Sequence, residues 1–593
     1  MFVPQYGEYQ EMKKSAAEGR KPEFPDRETT QAAASRFLSS HVYRKRKTLW
    51  DIAALVIVVA TLLFPFAGKA FNIDDPLFIW AAQQIIDHPN DFYGFLVNWY
   101  GHEMPMYDVM KNPPLTSYFI ALVAFLFGLG EVPLHMSFLA FAVAATIGIY
   151  FLARELCPKP LLATLAGILN PAFVVSSNTV MCDIPMLAFW IWAVVFWIYG
   201  LKRDSLLLLV TSAVLICFSA LNKYFGISLV PLLFAYSLAE KRSLGPWCWL
   251  LLAPLVVIGL YELATSKMYG RGLFSDAVAY ASSVGSVKNI HFISQGVICL
   301  AFMGGGFISA LFLAPYTWSW RVAAAGLIIA VIVFFLLCGL PKIGDFPLRE
   351  LTGGIRWDLV IQISLFIVAG VMILAVSALD LIENKNGTSI LLFTWVLGTF
   401  IFAAFVNWTT NIRSILPVAP AVGILFMRRI YNAETHFIFK DNTPLPFFLV
   451  ACSFLTFLVT WADASLANTG RSAAYEIARN YGGREVPLWF QGHWGFQYYM
   501  QEAGGRPLDF RWPGLEKGAL VVIPTNNTNL QRLPPNISVI VGVVERQPFS
   551  WASTMNGLSG AGYYSSIWGP IPYAFGVCPL ERYIIYRMTA ALY

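Results

Sequence analysis

Long apolar runs separated by short polar turns dominate the first two thirds of the chain and continue to residue 462. A helix needs about 20 mostly apolar residues to cross about 30 Å of hydrocarbon. Thirteen runs reach or approach that length: Leu49–Gly68, Leu134–Ala153, Leu161–Val175, Ile184–Leu201, Ser205–Leu221, Phe225–Ala239, Leu244–Ala264, Phe292–Pro315, Arg321–Leu340, Trp357–Leu379, Ile390–Trp408, Ile412–Met427 and Pro446–Ala462. The pattern predicts a polytopic α-helical membrane protein with about 13 transmembrane helices. Further on the pattern changes. Val486–Gln491, Leu520–Pro524, Ile537–Val544 and Tyr583–Met588 read as strands, Tyr475–Asn480 and Phe496–Glu502 as helices, and the turns between them are rich in Gly, Pro and Asn. The chain is therefore expected to divide into an N-terminal tail (1–48), a membrane domain (49–466) and a small C-terminal α/β domain (467–593).

Charge sets the expected sidedness. Arg44, Lys45, Arg46 and Lys47 stand directly before the first run, where cations hold a cytoplasmic end. One further apolar run, Pro113–Gly130, decides the parity. If it crossed fully, Arg154 with Lys159, Lys202–Arg203, Lys241–Arg242 and Arg428–Arg429 would all face outward. If it lies along or dips into the outer interface, all four clusters fall inside. The second arrangement satisfies the positive-inside rule, so Pro113–Gly130 reads as a juxtamembrane or re-entrant helix opened by two prolines, within an outer loop of residues 69–130. The N-terminus is then cytoplasmic and the C-terminal domain extracytoplasmic.

Composition excludes several classes. The chain is 57% hydrophobic and only 13% charged, against about a quarter charged in soluble domains, so neither a disordered chain nor an ordinary soluble enzyme fits. Its eight cysteines include no C-x-x-C pair, which removes a zinc ribbon or thioredoxin-like motif.

The candidate chemistry gathers on the outer side. The long first outer loop holds Asp74-Asp75-Pro76. Adjacent carboxylates can act as a general base or hold a divalent cation, and the same triplet also fits a helix N-terminus with its cap and first-turn proline. Asp183, Lys223 and Arg413 stand at outer ends of apolar runs. Taken singly, each cation reads as a snorkelling anchor. Taken together, cations suit a lipid phosphate, and carboxylates suit a sugar hydroxyl or a metal. His291, after the outer loop Thr265–Ile290, is either an interfacial histidine or a metal ligand partnering Asp74. A transporter or flippase of a lipid-linked or anionic substrate is the alternative, but it would place charges near the bilayer midplane on broken helices.

At these residues the sequence resembles the GT-C superfamily of polytopic glycosyltransferases, on the branch of protein O-mannosyltransferases and lipid A aminoarabinose transferases. The likeness rests on Asp74-Asp75 with Phe78, Lys111-Asn112-Pro113-Pro114-Leu115, Asp183-Ile184-Pro185-Met186, Asn222-Lys223, and Arg413-Ser414-Ile415-Leu416-Pro417 with Pro420, in order along the chain. Gln491–Tyr499 resembles the start of the outer domain in bacterial members. The chain departs from the family pattern at Asn112 and Lys111, before the two prolines, and at Ser414. The resemblance implies transfer of a single sugar from a polyprenyl-phosphate carrier to a protein, glycolipid or polysaccharide acceptor, at the outer face of a bacterial inner membrane. It implies Asp74 as the base of an inverting displacement, assisted by Asp75, which would orient the acceptor or hold a metal, with Asp183 orienting a sugar hydroxyl or seconding the metal. Lys223, Arg413 and Lys111 would hold the donor phosphate, and a divalent cation could sit at Asp74 and His291.

Overall fold

The computed structural model describes residues 27–288, 292–432, 445–482 and 487–592. It contains two compact units, Met1–Leu55 and Val56–Tyr593. In the first, the described residues are helical and belong to the helix Arg27–Leu63. Residues 1–26 of the expected tail, and His291, lie outside the described residues.

All thirteen apolar runs fall on helices. Among the described residues nine helices are long and apolar enough to cross a membrane, and two bent pairs raise the count to eleven. The other two runs form shorter helices, Leu206–Asn222 and Leu229–Lys241, of 17 and 13 residues. The chain is a polytopic helical membrane protein, and the figure of about 13 counts apolar runs rather than full-length spans. Pro113–Gly130 contains the helix Leu115–Phe127, 13 residues long. At 1.5 Å per residue it extends about 20 Å, short of the hydrocarbon thickness.

The two bent pairs break where the sequence supplies Pro and Gly. Pro160–Ile168 and Pro171–Ser177 meet at 68°, and Phe292–Gly306 and Ser309–Thr317 at 83°. Broken helices expose backbone groups that must find partners inside the protein. Here the two breaks satisfy each other. Asn170 donates to the Ala166 carbonyl at 2.6 Å and accepts from the Ser309 N–H at 3.0 Å, and the Ser309 hydroxyl donates to the same Ala166 carbonyl at 3.1 Å. The first break leads directly to the turn Asn178–Val180, which meets the acidic loop.

The C-terminal segment carries a five-stranded mixed sheet of β1 (Leu488–Phe490), β2 (Arg506–Pro507), β3 (Leu520–Pro524), β4 (Ser538–Arg546) and β5 (Glu581–Met588). The strand order is β2-β1-β3-β5-β4, with β1 parallel to β2 and β3 and the remaining pairs antiparallel. Each of the four expected strands is present, and the two-residue β2 was not legible. Parallel neighbours need a crossover, and the helix Trp494–Glu502 lies in the β1–β2 connection. Leu508, Leu515, Ala519, Val521 and Met588 form the apolar core on one side of this sheet, with Trp489 packed against it. The expected helix Tyr475–Asn480 is the end of a continuous 37-residue helix, Leu445–Tyr481, which runs unbroken through residue 466.

Candidate active site

The acidic loop is held from three directions before its chemistry begins. The Phe71 N–H donates to the Tyr499 hydroxyl at 2.8 Å, and the Ala70 N–H to Asn468 Oδ1 at 3.0 Å. Gly495, at the start of the helix Trp494–Glu502, lies so close that a Cβ there would sit 1.9 Å from the Phe71 carbonyl oxygen. The C-terminal segment therefore buttresses the loop through backbone contact that only glycine permits. Two residues on the cavity wall adopt the left-handed region, Ile73 at φ 52° and Trp494 at φ 63°. A β-branched residue there is a true outlier, and such strain gathers at functional sites where surrounding contacts enforce it.

Asp74 and Asp75 separate completely. Asp75 is fully buried, and its two oxygens accept from the backbone N–H groups of Asn72 and Val180, both at 2.9 Å. Burial pushes its carboxyl up to about 6, with Lys69 pulling the other way. Asp75 thus fastens the loop to the broken helix, each of its oxygens holding one backbone amide. Asp74 keeps 31% side-chain exposure and lines a cavity of about 470 Å³. Its Oδ2 accepts from Arg413 Nη2 at 2.8 Å, while Oδ1 has no hydrogen-bond partner among the described residues.

Arg413 is placed by the short helix Ile412–Ile415, capped by the Asn411 side chain accepting from the Ser414 N–H at 2.8 Å. Ser414, the departure from the family pattern, accepts a 2.7 Å bond from Asn407 and so stabilises this turn. Asp183 is 1% exposed; its Oδ1 accepts from Lys223 Nζ at 2.6 Å and its Oδ2 lies 3.9 Å from Arg413 Nη1. It lines neither neighbouring cavity and stands as a buried counter-charge between Lys223 and Arg413. Lys111 pairs with Asp276 and stands 5.3 Å from the centre of the Tyr280 ring.

A second cavity, of about 560 Å³, is walled mainly by apolar side chains such as Phe225, Val278, Ala281, Phe402 and Phe405, with Lys223 in its lining. Its far wall includes the π-helical turn Phe402–Val406, a geometry that often marks functional sites. Both cavities include Lys111, Asn112 and Trp408 in their linings. A further apolar hollow of about 340 Å³ shares Phe225, Ser228 and Phe402 with the second cavity and reaches Trp395.

The aromatic surround of the first cavity was not legible. Trp99, Tyr100, Trp408, Trp494, Tyr564 and Trp568 all line it. Two other aromatics of the C-terminal segment lie elsewhere. Trp489 packs against the sheet core, and Tyr498 packs on Phe71 and Trp80. Of the expected cation ligands, Asp74 pairs with Arg413 through Oδ2, and His291 lies outside the described residues. Among the described residues no group of three His, Cys, Asp or Glu side chains could hold a metal.

Residues 111–262 match the family model for dolichyl-phosphate-mannose-protein mannosyltransferases. The matched stretch carries the motifs at Lys111–Leu115, Asp183–Met186 and Asn222–Lys223, so the resemblance read from those residues is found independently. No curated protein matches the chain by sequence. Among solved structures, the Archaeoglobus fulgidus oligosaccharyltransferase is similar at TM-score 0.46 and 13% identity, over 80% of this chain and 66% of that one. The chain thus spans just under two thirds of that protein's length. ArnT from Cupriavidus metallidurans, solved bound to undecaprenyl phosphate, is similar at TM-score 0.37 and 16% identity, over 80% and 93% of the two chains. The S. cerevisiae Pmt1–Pmt2 complex, solved bound to its sugar donor, is similar at TM-score 0.29 and 16% identity, over 38% and 34%.

Proposed function

We propose that this protein is a membrane glycosyltransferase that moves a single sugar from a polyprenyl-phosphate carrier to an acceptor at the outer face of the membrane. The observation that carries this reading is the pair of adjoining cavities. One is apolar and suits a lipid chain; the other is aromatic and polar and contains Asp74. Lys111 lines both, and Lys223 lines the apolar one. A phosphate placed there meets cations on the side where the lipid tail enters. The aromatic rings on the other side suit the C–H faces of a sugar. The family match over residues 111–262 supports the same reading.

The chemistry follows from the charges. Asp74 Oδ1 takes the proton of an acceptor hydroxyl. The acceptor oxygen then bonds to the anomeric carbon while the bond from that carbon to the phosphate oxygen breaks, and the electron pair leaves with the phosphate. Attack from the face opposite the leaving group inverts the anomeric centre. Lys223, Arg413 and Lys111 offset the negative charge that grows on the departing lipid phosphate. A phosphate leaving group of low basicity needs no general acid, which agrees with a cavity whose described carboxylate is Asp74 alone. No step requires a metal.

In this reading the N-terminal tail (1–48) is cytoplasmic, residues 49–466 form the membrane domain, and residues 467–593 form an extracytoplasmic, periplasmic domain of a bacterial inner-membrane protein. The test is Asp74→Asn in the full chain reconstituted in nanodiscs with a radiolabelled polyprenyl-phosphate sugar. The expected result is a loss of transfer of about 10²–10⁴-fold with unchanged thermal unfolding. Transfer at the wild-type rate by a folded variant overturns Asp74 as the base.

A further inference from the structure

The acidic loop, the long helix and the C-terminal segment meet in a buried polar network that touches Arg413 from behind. Lys69, five positions before Asp74, is completely buried. Its Nζ donates to Asp463 Oδ2 at 2.6 Å and to the Asn178 carbonyl at 2.9 Å. Asp463, on the helix Leu445–Tyr481, is equally buried and accepts two more bonds, from the Thr554 hydroxyl at 3.0 Å and from the Tyr564 hydroxyl at 3.0 Å. The Tyr564 ring is 3% exposed, lines the aromatic cavity, and has its centre 5.5 Å from the Arg413 guanidinium carbon. The backbone joins the same elements. The Ile412 N–H donates to the Tyr563 carbonyl at 3.1 Å, and the Ser566 N–H donates to the Thr410 carbonyl at 2.8 Å.

We propose that Tyr564 is a positioning residue for Arg413, anchored by the buried Lys69–Asp463 pair, so that the C-terminal segment supplies part of the phosphate-stabilising site. This proposal rests on the glycosyltransferase reading for its effect on turnover, but its geometry does not. Among the described residues Arg413 is the cation paired with Asp74. Its guanidinium must therefore serve the base in the resting state and turn toward a phosphate as charge develops. A flat ring held at a fixed height restricts that movement to a plane and adds a cation–π attraction in a desolvated setting. The height of the ring is set by the Tyr564 hydroxyl, which Asp463 accepts, and Asp463 is itself held by Lys69. Thr554 on the neighbouring loop holds the second oxygen of the carboxylate. A phenylalanine at 564 would keep the ring and lose the anchor. A leucine would lose both.

The experiment uses the full chain in nanodiscs and two readouts. The first is binding of undecaprenyl phosphate, followed by tryptophan fluorescence, for wild type, Tyr564→Phe, Tyr564→Leu, Arg413→Ala and the Arg413→Ala/Tyr564→Leu double variant. The second is kcat and KM with a polyprenyl-phosphate sugar. Tyr564→Phe is expected to lower kcat about 3-fold and Tyr564→Leu about 10-fold, with KM changed less than kcat. In the Arg413→Ala background, Tyr564→Leu is expected to add nothing to the loss of phosphate binding. A Tyr564→Leu penalty that persists at full size without Arg413, or wild-type binding that ignores Arg413→Ala, overturns the positioning role. If Tyr564→Leu fails to fold, the decision passes to Tyr564→Phe, alone and combined with Arg413→Ala, under the same criterion. Non-additive phosphate binding in a protein that transfers no sugar would leave the positioning role standing and overturn the enzymatic reading.

Discussion

Asp74 and Asp75 are adjacent in sequence and opposite in circumstance. One faces a cavity with an oxygen that has no hydrogen-bond partner among the described residues; the other spends both oxygens on backbone amides and is sealed from solvent. The difference arises because residue 75 opens the helix Asp75–Asp87, which turns its side chain inward against the Val180 amide. The other decisive residue pair, Lys69–Asp463, is buried on both sides. Removing one member of such a pair strands a charge in a low dielectric, and the penalty is about 3–5 kcal/mol. Lys69→Met is therefore expected to lower the thermal unfolding temperature strongly. Lys69→Met/Asp463→Asn, which removes both charges and keeps an acceptor for one hydroxyl, is expected to recover much of the loss. A single variant as stable as wild type would contradict a fully desolvated pair.

At the scale of elements, the broken helices position the acidic loop, and an interior strand of the C-terminal sheet carries a buried acid. The break between Ile168 and Pro171 leads to the Asn178–Val180 turn, whose backbone receives Lys69 and holds Asp75. The strand β5 begins with Glu581, which is 4% exposed and accepts from Asn526 at 2.8 Å. Burial pushes its carboxyl from the usual range up to about 7, with Asn526 and Asn556 opposing. A folded-state value above the unfolded one means that stability is fully present below the unfolded value and is lost as pH rises through the folded value. The expectation is a fall in unfolding temperature between about pH 5 and pH 8, worth about 3 kcal/mol at most. Glu581→Gln should remove most of that slope. An unchanged slope in the variant would show that other groups set it.

The whole molecule brings an apolar cavity and an aromatic cavity to a common junction at Lys111, Asn112 and Trp408. Neither is complete on one stretch of chain: the aromatic one draws on the acidic loop, on residues near Arg413 and on the C-terminal segment. This predicts that lipid and sugar recognition can be separated by mutation. Ala281 lines the apolar cavity and is absent from the lining of the other. Ala281→Trp is expected to raise KM for the lipid-linked donor about tenfold, equivalent to about 1.4 kcal/mol, with kcat nearly unchanged. A kcat defect with normal KM would place the tail elsewhere.

The sequence alone determined the membrane class, the positions of the apolar helices, four of the five strands of the main sheet, and the side chains Asp74, Lys111, Lys223 and Arg413 that line the two cavities. Those features are written locally, in runs of apolar residues, in alternation, and in polar groups too expensive to place at an apolar boundary without a partner. Three things were decided only in three dimensions. Asp75 became a backbone anchor and Asp183 an internal counter-charge, because partners far away in sequence reached them: the Val180 amide for Asp75, Lys223 and Arg413 for Asp183. The aromatic lining assembled from segments as distant as Trp99 and Trp568. Lys69, Asp463 and Tyr564, separated by up to several hundred positions, joined behind Arg413. A linear pattern records how much each residue prefers water or lipid. It does not record which neighbour a buried charge will meet, because that depends on how separate elements pack and leave one another desolvated.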